Sequence, residues 1–217
     1  MKLGVLFSGG KDSAYALWKA AQKEEVVCLI TLVSENKESY MFHTPNIHLT
    51  RVQAQAMEIP RIVEITEGAK EEELNDLRNA ILRAKREHKI EGIVTGAIGS
   101  VYQASRIQKI CDELELWCFN PLWQKDQIEH LNDIVNDNFE VVISGVFARQ
   151  MEHLLGKKIN KLVVEELEQL EKKHKINPAG EGGEMETLVL NGPMFKKKII
   201  IKETEITKEV YGIKEIE

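Results

Sequence analysis

Hydrophobic and polar positions along this chain keep switching between two rhythms. Residues 3–7 form a short unbroken apolar run, as in a strand buried on both faces of a sheet. Ala14, Leu17, Trp18 and Ala21 then recur at i, i+3, i+4 and i+7, which is one face of a helix. The alternation continues. Residues 26–33 predict a second buried strand, 48–58 a short helix, and 61–65, after Pro60, a third strand. Leu74, Leu77, Ile81 and Ala84 predict a helix within 70–88. Residues 93–97 predict a fourth strand, and Val101, Ala104, Ile107, Cys111 and Leu114 the next helix. Such repeats predict an α/β fold, a parallel doubly wound sheet with right-handed crossovers.

Asn120-Pro121-Leu122-Trp123 breaks the rhythm. Beyond it the pattern predicts a helix over about 126–137, a strand over 141–146, a polar helix over about 160–173, a loop over 177–187, and two or three β segments. A domain change near 119 is expected. It gives a nucleotide-type domain over 1–118 and a smaller α+β domain over 119–217.

Composition narrows the class. A chain of 217 residues that is 43% hydrophobic and 29% charged can bury a real core. No apolar run approaches a membrane span, and the N-terminus enters the first strand without a signal peptide, so a cytoplasmic location is expected. Cys28, Cys111 and Cys118 form no C-x-x-C pair, which suggests neither a disulfide framework nor a zinc site. Cys28 and Cys111 fall on apolar faces. The net charge of −6 is unlike the basic surface usual in a nucleic-acid enzyme. Lys196-Lys197-Lys198 precedes Ile199-Ile200-Ile201 and reads as an edge strand guarded by lysines.

Candidate chemistry starts at Ser8-Gly9-Gly10-Lys11-Asp12-Ser13, between the first strand and the first helix. A strand–glycine turn–helix join aims backbone N–H groups and the positive end of a helix at one spot, which suits an anion. Asp12 would oppose a bare phosphate, so a divalent cation bridging it to phosphates is expected. Lys11 is followed by Asp12, and no glycine lies five residues before Gly10, so this is not a Walker A loop. In a doubly wound sheet, ligands bind at the carboxyl ends of strands. Residues 8–13, 34–44 and 96–100 all lie at such ends.

Two further segments stand out. Residues 180–187, Gly180-Glu181-Gly182-Gly183-Glu184-Met185-Glu186-Thr187, crowd three carboxylates among three glycines. Crowded carboxylates repel and invite a cation, although charge runs more often face solvent. After the fourth strand comes Gly96-Ala97-Ile98-Gly99-Ser100-Val101-Tyr102-Gln103-Ala104-Ser105-Arg106. Its glycines can approach a nucleotide, and Arg106 can grip a phosphate through two N–H groups.

Residues 8–13 resemble the PP-loop of ATP pyrophosphatases, which split ATP into AMP and pyrophosphate. Together with Gly96-Ala97-Ile98, Tyr102-Gln103, Arg106, Pro121-Leu122-Trp123 and the acidic glycine segment, the chain resembles the diphthine–ammonia ligase family, whose archaeal members are often labelled N-type ATP pyrophosphatases. Met185 stands where the family usually has Tyr. The resemblance implies an adenine nucleotide alpha hydrolase-like (HUP) fold and ATP-dependent amidation of diphthine on translation elongation factor 2. It implies ATP and Mg2+, with ammonium as nitrogen donor, an acyl-adenylate intermediate, and AMP and pyrophosphate as products. Ser8, Gly9, Gly10, Lys11, Asp12, Ser13, Gly96 and Ala97 are then expected at the nucleotide, with Asp12 on the metal. Asp12, Arg106 and Glu186 are expected to be catalytic, and Tyr102, Gln103, Glu181, Glu184 and Glu186 to meet substrate. Diphthine carries a trimethylammonium group that carboxylates or aromatics such as Trp117 and Trp123 could hold. Neither membrane nor stable nucleic-acid binding is expected, and a homodimer is possible. The competing readings are a tRNA-modifying adenylating enzyme on the same fold and a non-catalytic nucleotide-binding module.

Overall fold

The computed structural model describes residues 1–34, 46–67, 72–206 and 210–216. Its first half is the expected alternation. Strand β1 (Lys2–Leu6) leads to helix α1 (Lys11–Ala21) and strand β2 (Glu25–Ser34). A 3-10 turn (Ile47–Leu49) enters α2 (Thr50–Met57), followed by β3 (Arg61–Thr66), α3 (Glu72–His88), β4 (Gly92–Val94) and α4 (Val101–Glu113). Strand β5 (Trp117–Phe119) completes a five-stranded sheet in the order β3-β2-β1-β4-β5. Every pairing in it is parallel. The order reverses between β1 and β4, so the crevice at their carboxyl ends is the place for a ligand.

Three sequence expectations need correction. The fourth strand stops at Val94 instead of reaching 97. A Cβ on Gly96 would lie 2.7 Å from the Ser13 nitrogen, so this segment leaves the sheet to run against the start of α1. β5 was not expected; it is three residues long, and Trp117 at its start is 66% exposed. Lys196–Lys198 do not guard an edge strand, because the next strand begins only at Ile201. Their segment is a bend whose Lys196 and Lys197 amides bond the Ala56 carbonyl, and Lys198 pairs with Glu140 at 2.7 Å. Of residues 34–44, expected near the ligand, all but Ser34 lie outside the described residues.

The second half contains α5 (Gln127–Asn136), β6 (Glu140–Val146), a 3-10 turn (Arg149–Leu154), α6 (Lys161–His174), β7 (Met185–Asn191), β8 (Ile201–Ile206) and β9 (Tyr211–Ile216). β6 pairs antiparallel with β7, and β8 with β9. Phe119 still pairs with Val94 inside the parallel sheet, one residue past the expected boundary.

Two cores cover the sheet. On one face Ile30, Leu32 and Ile62 pack against Leu77 and Ile81 of α3 and Ile107 and Cys111 of α4. On the other face α1 is caught between sheet and second half. Its Tyr15, Ala16 and Leu17 are fully buried, in one cluster with Val5, Leu131, Ile134, Val141, Val163 and Leu167. Each large apolar side chain so buried contributes about 1.5–3 kcal/mol. The halves therefore share a core, and the second half is positioned by α1.

Candidate active site

The phosphate-type loop is built by the join of β1 to α1. Phe7 closes the strand, its N–H on the Ile30 carbonyl at 2.8 Å. Gly9 then turns with φ +84°, a conformation that favours glycine. Gly10 starts α1 without a side-chain cap, so the helix's positive end is left for a ligand. The Ser8 and Ser13 hydroxyls meet at 3.2 Å across the turn.

Strand β7 locks this loop from the second half. Val189 N–H donates to the Gly9 carbonyl at 3.0 Å. The Gln53 amide on α2 donates to the Gly9 and Val189 carbonyls at 2.9 and 2.8 Å. The Lys11 N–H donates to the Thr187 hydroxyl at 3.1 Å. Thus residues 180–187 end on the phosphate loop, Thr187 lying 176 positions after Lys11.

Between the loop, the turn after β4 and this acidic segment lies a cavity of about 570 Å³. One wall is polar: Ser8, Gly10, Lys11, Asp12 and Ser13. Another is apolar: Ile30, Leu32, Leu77 and Ile107. Gly96, Ala97, Ser100 and Gln103 line it from the β4 side, and Glu181 and Glu186 from the acidic segment. A polar cradle beside an apolar slot suits a molecule with phosphates at one end and a flat base at the other.

Electrostatics within the site are divided sharply. The Lys11 ammonium is buried, bonded to the Ala179 carbonyl and, at 2.9 Å, to Asp12 Oδ2. Asp12 Oδ1 accepts from His130 Nε2 at 2.8 Å. Burial pushes the Asp12 carboxyl up, but the Lys11 charge and the His130 hydrogen bond more than reverse this, leaving it below the usual carboxylate range. Glu186 behaves oppositely. Burial lifts it to about 7, with Lys11 pulling it down and Asp12 pushing it up.

The structure separates the expected site residues into two sets. Ser8, Gly10, Lys11, Asp12, Ser13, Gly96, Ala97, Gln103, Glu181 and Glu186 line one cavity, and Gly9 shapes the loop beneath it. Glu184 does not line the cavity, contrary to its expected place at the substrate. Its carboxylate is filled by the Asn177 N–H (2.9 Å), the Asn177 side-chain amide (2.7 Å) and the Gly182 N–H (2.9 Å), so it folds the loop. Arg106 and Tyr102 do not line it either: the guanidinium lies 3.5 Å from the centre of the Tyr102 ring, on their own helix. Glu181 makes a bridge, accepting the Gly99 N–H at 3.0 Å. Sequence reasoning missed His130 and Gln53, and named Thr187 only as the end of the acidic segment. His130 alone left a signal, a polar side chain on the buried face of α5 beside Leu131 and Ile134.

A Mg2+ carried in with a nucleotide would meet Asp12, which lines the cavity with its two oxygens held by Lys11 and His130. Such an ion takes one or two carboxylates and completes its shell with phosphate oxygens and water. Among the described residues no group of three His, Cys, Asp or Glu side chains gathers that could hold a metal.

The chain is similar to a diphthine–ammonia ligase of Bos taurus, 33% identical over 95% of this chain and 85% of that protein. The human diphthine–ammonia ligase is 32% identical over 95% and 85%. A diphthine–ammonia ligase of Schizosaccharomyces pombe is 34% identical over 98% of this chain, which spans 38% of that longer protein. A solved structure from Methanocaldococcus jannaschii, a predicted subunit of tRNA methyltransferase, aligns with a TM-score of 0.46 at 17% identity, over 91% of this chain and 99% of that one. That likeness is too loose to bear on function. The diphthamide synthase N-terminal domain matches residues 1–117 and the diphthamide synthase C-terminal domain residues 126–217, and by these matches the chain belongs to the diphthamide synthase family.

Proposed function

We propose that this protein amidates the diphthine carboxylate of translation elongation factor 2, using ATP and ammonium and releasing AMP and pyrophosphate. Family membership supports the reaction, and the relatives' name, diphthine–ammonia ligase, supports the acid and the nitrogen donor. One observation carries the reading: the Lys11–Thr187 hydrogen bond joins the phosphate loop to the carboxylate segment, so both face one cavity.

A carboxylate is a poor acyl donor, and transfer of AMP to it provides a leaving group. Ser8, Gly9, Gly10, Lys11 and Ser13 take the β- and γ-phosphates, because N–H groups and the start of α1 converge there. The substrate carboxylate then attacks the α-phosphorus and pyrophosphate leaves. The apolar wall takes the adenine, with Gly96 and Ala97 passing close to the nucleotide. Mg2+, when bound, neutralises phosphate charge, and Asp12 is the side chain that would hold it. Lys11 leaves the Ala179 carbonyl for the phosphates. Ammonia finally displaces AMP from the acyl-adenylate. The free thiols Cys28, Cys111 and Cys118 accord with a reducing cytoplasm, where we place the reaction.

The test is a mass measurement on elongation factor 2 carrying diphthine, incubated with the protein, ATP, Mg2+ and ammonium. Conversion of the acid to the amide is expected, with AMP and pyrophosphate formed in equal amounts. An unchanged substrate, or ADP and phosphate as products, would overturn the reading.

A further inference from the structure

We propose that Cys111 and Cys118 form a reversible disulfide that weakens nucleotide binding, so that thiol oxidation at a place outside the cavity controls it. The control rests on the reading of the cavity as a nucleotide site; the disulfide itself does not.

The fold brings two distant-looking thiols together. Cys111 lies in the last turn of α4 and Cys118 at the middle of β5. The chain between them is a tight return, with the Leu114 and Leu116 N–H groups both on the Cys111 carbonyl, at 3.2 and 2.9 Å. β5 therefore runs back past the end of the helix, and the two thiols share a hydrogen bond. Cys111 is fully buried in the cluster of Ile107, Ile110 and Leu114, and Cys118 packs against that cluster while staying partly exposed. β5 is also an edge of the sheet, so Cys118 is the member that a small reagent meets first.

The pair is asymmetric. The Asn120 side-chain amide donates to Cys118 Sγ at 3.9 Å, in addition to the bond from Cys111. The Cys111 hydrogen bond draws the Cys118 thiol below the ordinary cysteine range, burial opposes it, and Asn120 adds to the pull. The same thiol–thiol bond, together with burial, pushes Cys111 up. Cys118 is then the nucleophile and Cys111 the resolving thiol. With a small-molecule disulfide as oxidant, the Cys118 thiolate attacks one of its sulfurs, the S–S bond breaks, and a first thiolate leaves with the electron pair. Cys111 gives its proton to that thiolate and attacks Cys118 Sγ of the mixed disulfide. A second thiolate leaves and takes from solvent the proton that Cys118 had released. The two cysteines lose two electrons, and one small disulfide becomes two thiols.

Asn120 connects this pair to the cavity. Its Nδ2 is on Cys118, and its Oδ1 accepts the Thr95 hydroxyl. Thr95 Oγ1 in turn accepts the Ala97 N–H at 3.2 Å, and the Thr95 N–H is held by the Phe119 carbonyl at 2.9 Å. Thr95 and Ala97 line the cavity. Three hydrogen bonds in series thus run from the Cys118 sulfur to the wall expected to meet the nucleotide. A disulfide sulfur carries no negative charge and is a poorer acceptor than a thiolate. Drawn toward α4, it leaves Asn120 without its anchor, and the Thr95–Ala97 wall loosens.

Oxidised glutathione is the probe. The protein is incubated with it, alkylated, digested and read by mass, and ATP binding is measured by calorimetry before and after, for wild type, Cys118→Ser and Asn120→Leu. Wild type should yield a peptide linking Cys111 to Cys118, and its ATP affinity should fall about 10-fold and return with dithiothreitol. Cys118→Ser should form no link and keep its affinity in oxidant. Asn120→Leu should form the link, yet start near the affinity of the oxidised wild type and change little on oxidation. A wild-type protein that stays unlinked, or carries only glutathione, would overturn the inference, as would a linked protein with unaltered ATP affinity; both leave the ligase reading intact. A full further loss on oxidising Asn120→Leu would overturn the Asn120 connection. A reduced wild-type protein that does not bind ATP would overturn the nucleotide reading and the control together. The wild-type measurements need no substitution, so a variant that fails to fold leaves both the link and its effect decided.

Discussion

His130 Nε2 and Asp12 Oδ1 lie 2.8 Å apart, joined across 118 residues of chain. An ionised carboxylate only accepts, so the proton sits on Nε2. His130 Nδ1 is buried with no hydrogen-bond partner, and the His130 and Tyr15 ring centres lie 5.2 Å apart in an edge-on arrangement. Leaving such an atom bare costs about 1–3 kcal/mol. What the fold gains is a fixed Asp12, one oxygen held by His130 and the other by Lys11. His130→Leu should weaken ATP binding in Mg2+ by about 10-fold and leave binding in EDTA much closer to wild type. His130→Gln, which retains a donor, should recover most of the loss. Calorimetric titration with and without EDTA checks this, and equal Mg2+ dependence in Leu and wild-type proteins would remove His130 from that role.

Thr187 ties the two halves at the reacting end. Thr187→Val keeps the shape and removes the acceptor for the buried Lys11 N–H, at a cost of about 1–3 kcal/mol in unfolding free energy. Thr187→Ser should recover at least half. Urea unfolding midpoints of the three proteins decide between this and a passive role for the hydroxyl.

Glu186 links stability to pH. Its folded pKa of about 7 is above the ordinary 4.5, so between these values the folded state binds more proton than the unfolded state. Its contribution to stability is therefore lost as pH rises through that window. Glu186→Gln should flatten the pH dependence between pH 4.5 and 7 and raise stability at pH 8 by roughly 1–3 kcal/mol. A variant less stable than wild type at pH 8 would contradict the lifting of this carboxyl by burial.

Glu184 holds the loop and does not line the cavity. Glu184→Ala strips acceptors from three N–H groups at once, and substrate turnover should fall through loss of loop order. Proteolysis between 177 and 186 should quicken about 10-fold, while ATP affinity stays within a few-fold of wild type. An Ala variant with unaltered cleavage would remove the clamp.

Gly96 marks where the sheet gives way to the site. A Cβ there would press on the backbone of Asp12 and Ser13 at 2.7–3.0 Å, and backbone cannot yield cheaply. Gly96→Ala should cost about 1–3 kcal/mol and weaken nucleotide binding, read together by thermal unfolding with and without ATP.

Much of this was legible from local pattern. The β1–α1 join announces itself by a change of period at Ser8-Gly9-Gly10, and β2 by a nearly continuous apolar run interrupted only by Thr31; both depend on neighbours in sequence. β5 carries no such mark, since three residues with an exposed Trp117 show neither period. The premature end of β4 is a packing effect of α1 on Gly96, which the apolar run 93–97 conceals. In the acidic segment composition offers three equivalent glutamates. The resemblance singles out Glu186, and only folding distinguishes Glu184, which clamps the loop, from Glu181, which bridges to the Gly99 N–H. His130 and Asp12 are likewise unrelated until α5 is laid against α1.

The burial of α1 on both sides has a consequence for modularity. The two family segments, 1–117 and 126–217, are separated by residues 118–125, yet neither is a free-standing cassette. Expressed alone, residues 1–118 would present Tyr15 and Leu17 to water, and transplanting another C-terminal portion would demand a new complement for the outer side of α1. The two segments are therefore expected to be inherited and engineered as one unit, and fragments co-expressed from a break in the 120–126 connection should reassemble where either fragment alone precipitates.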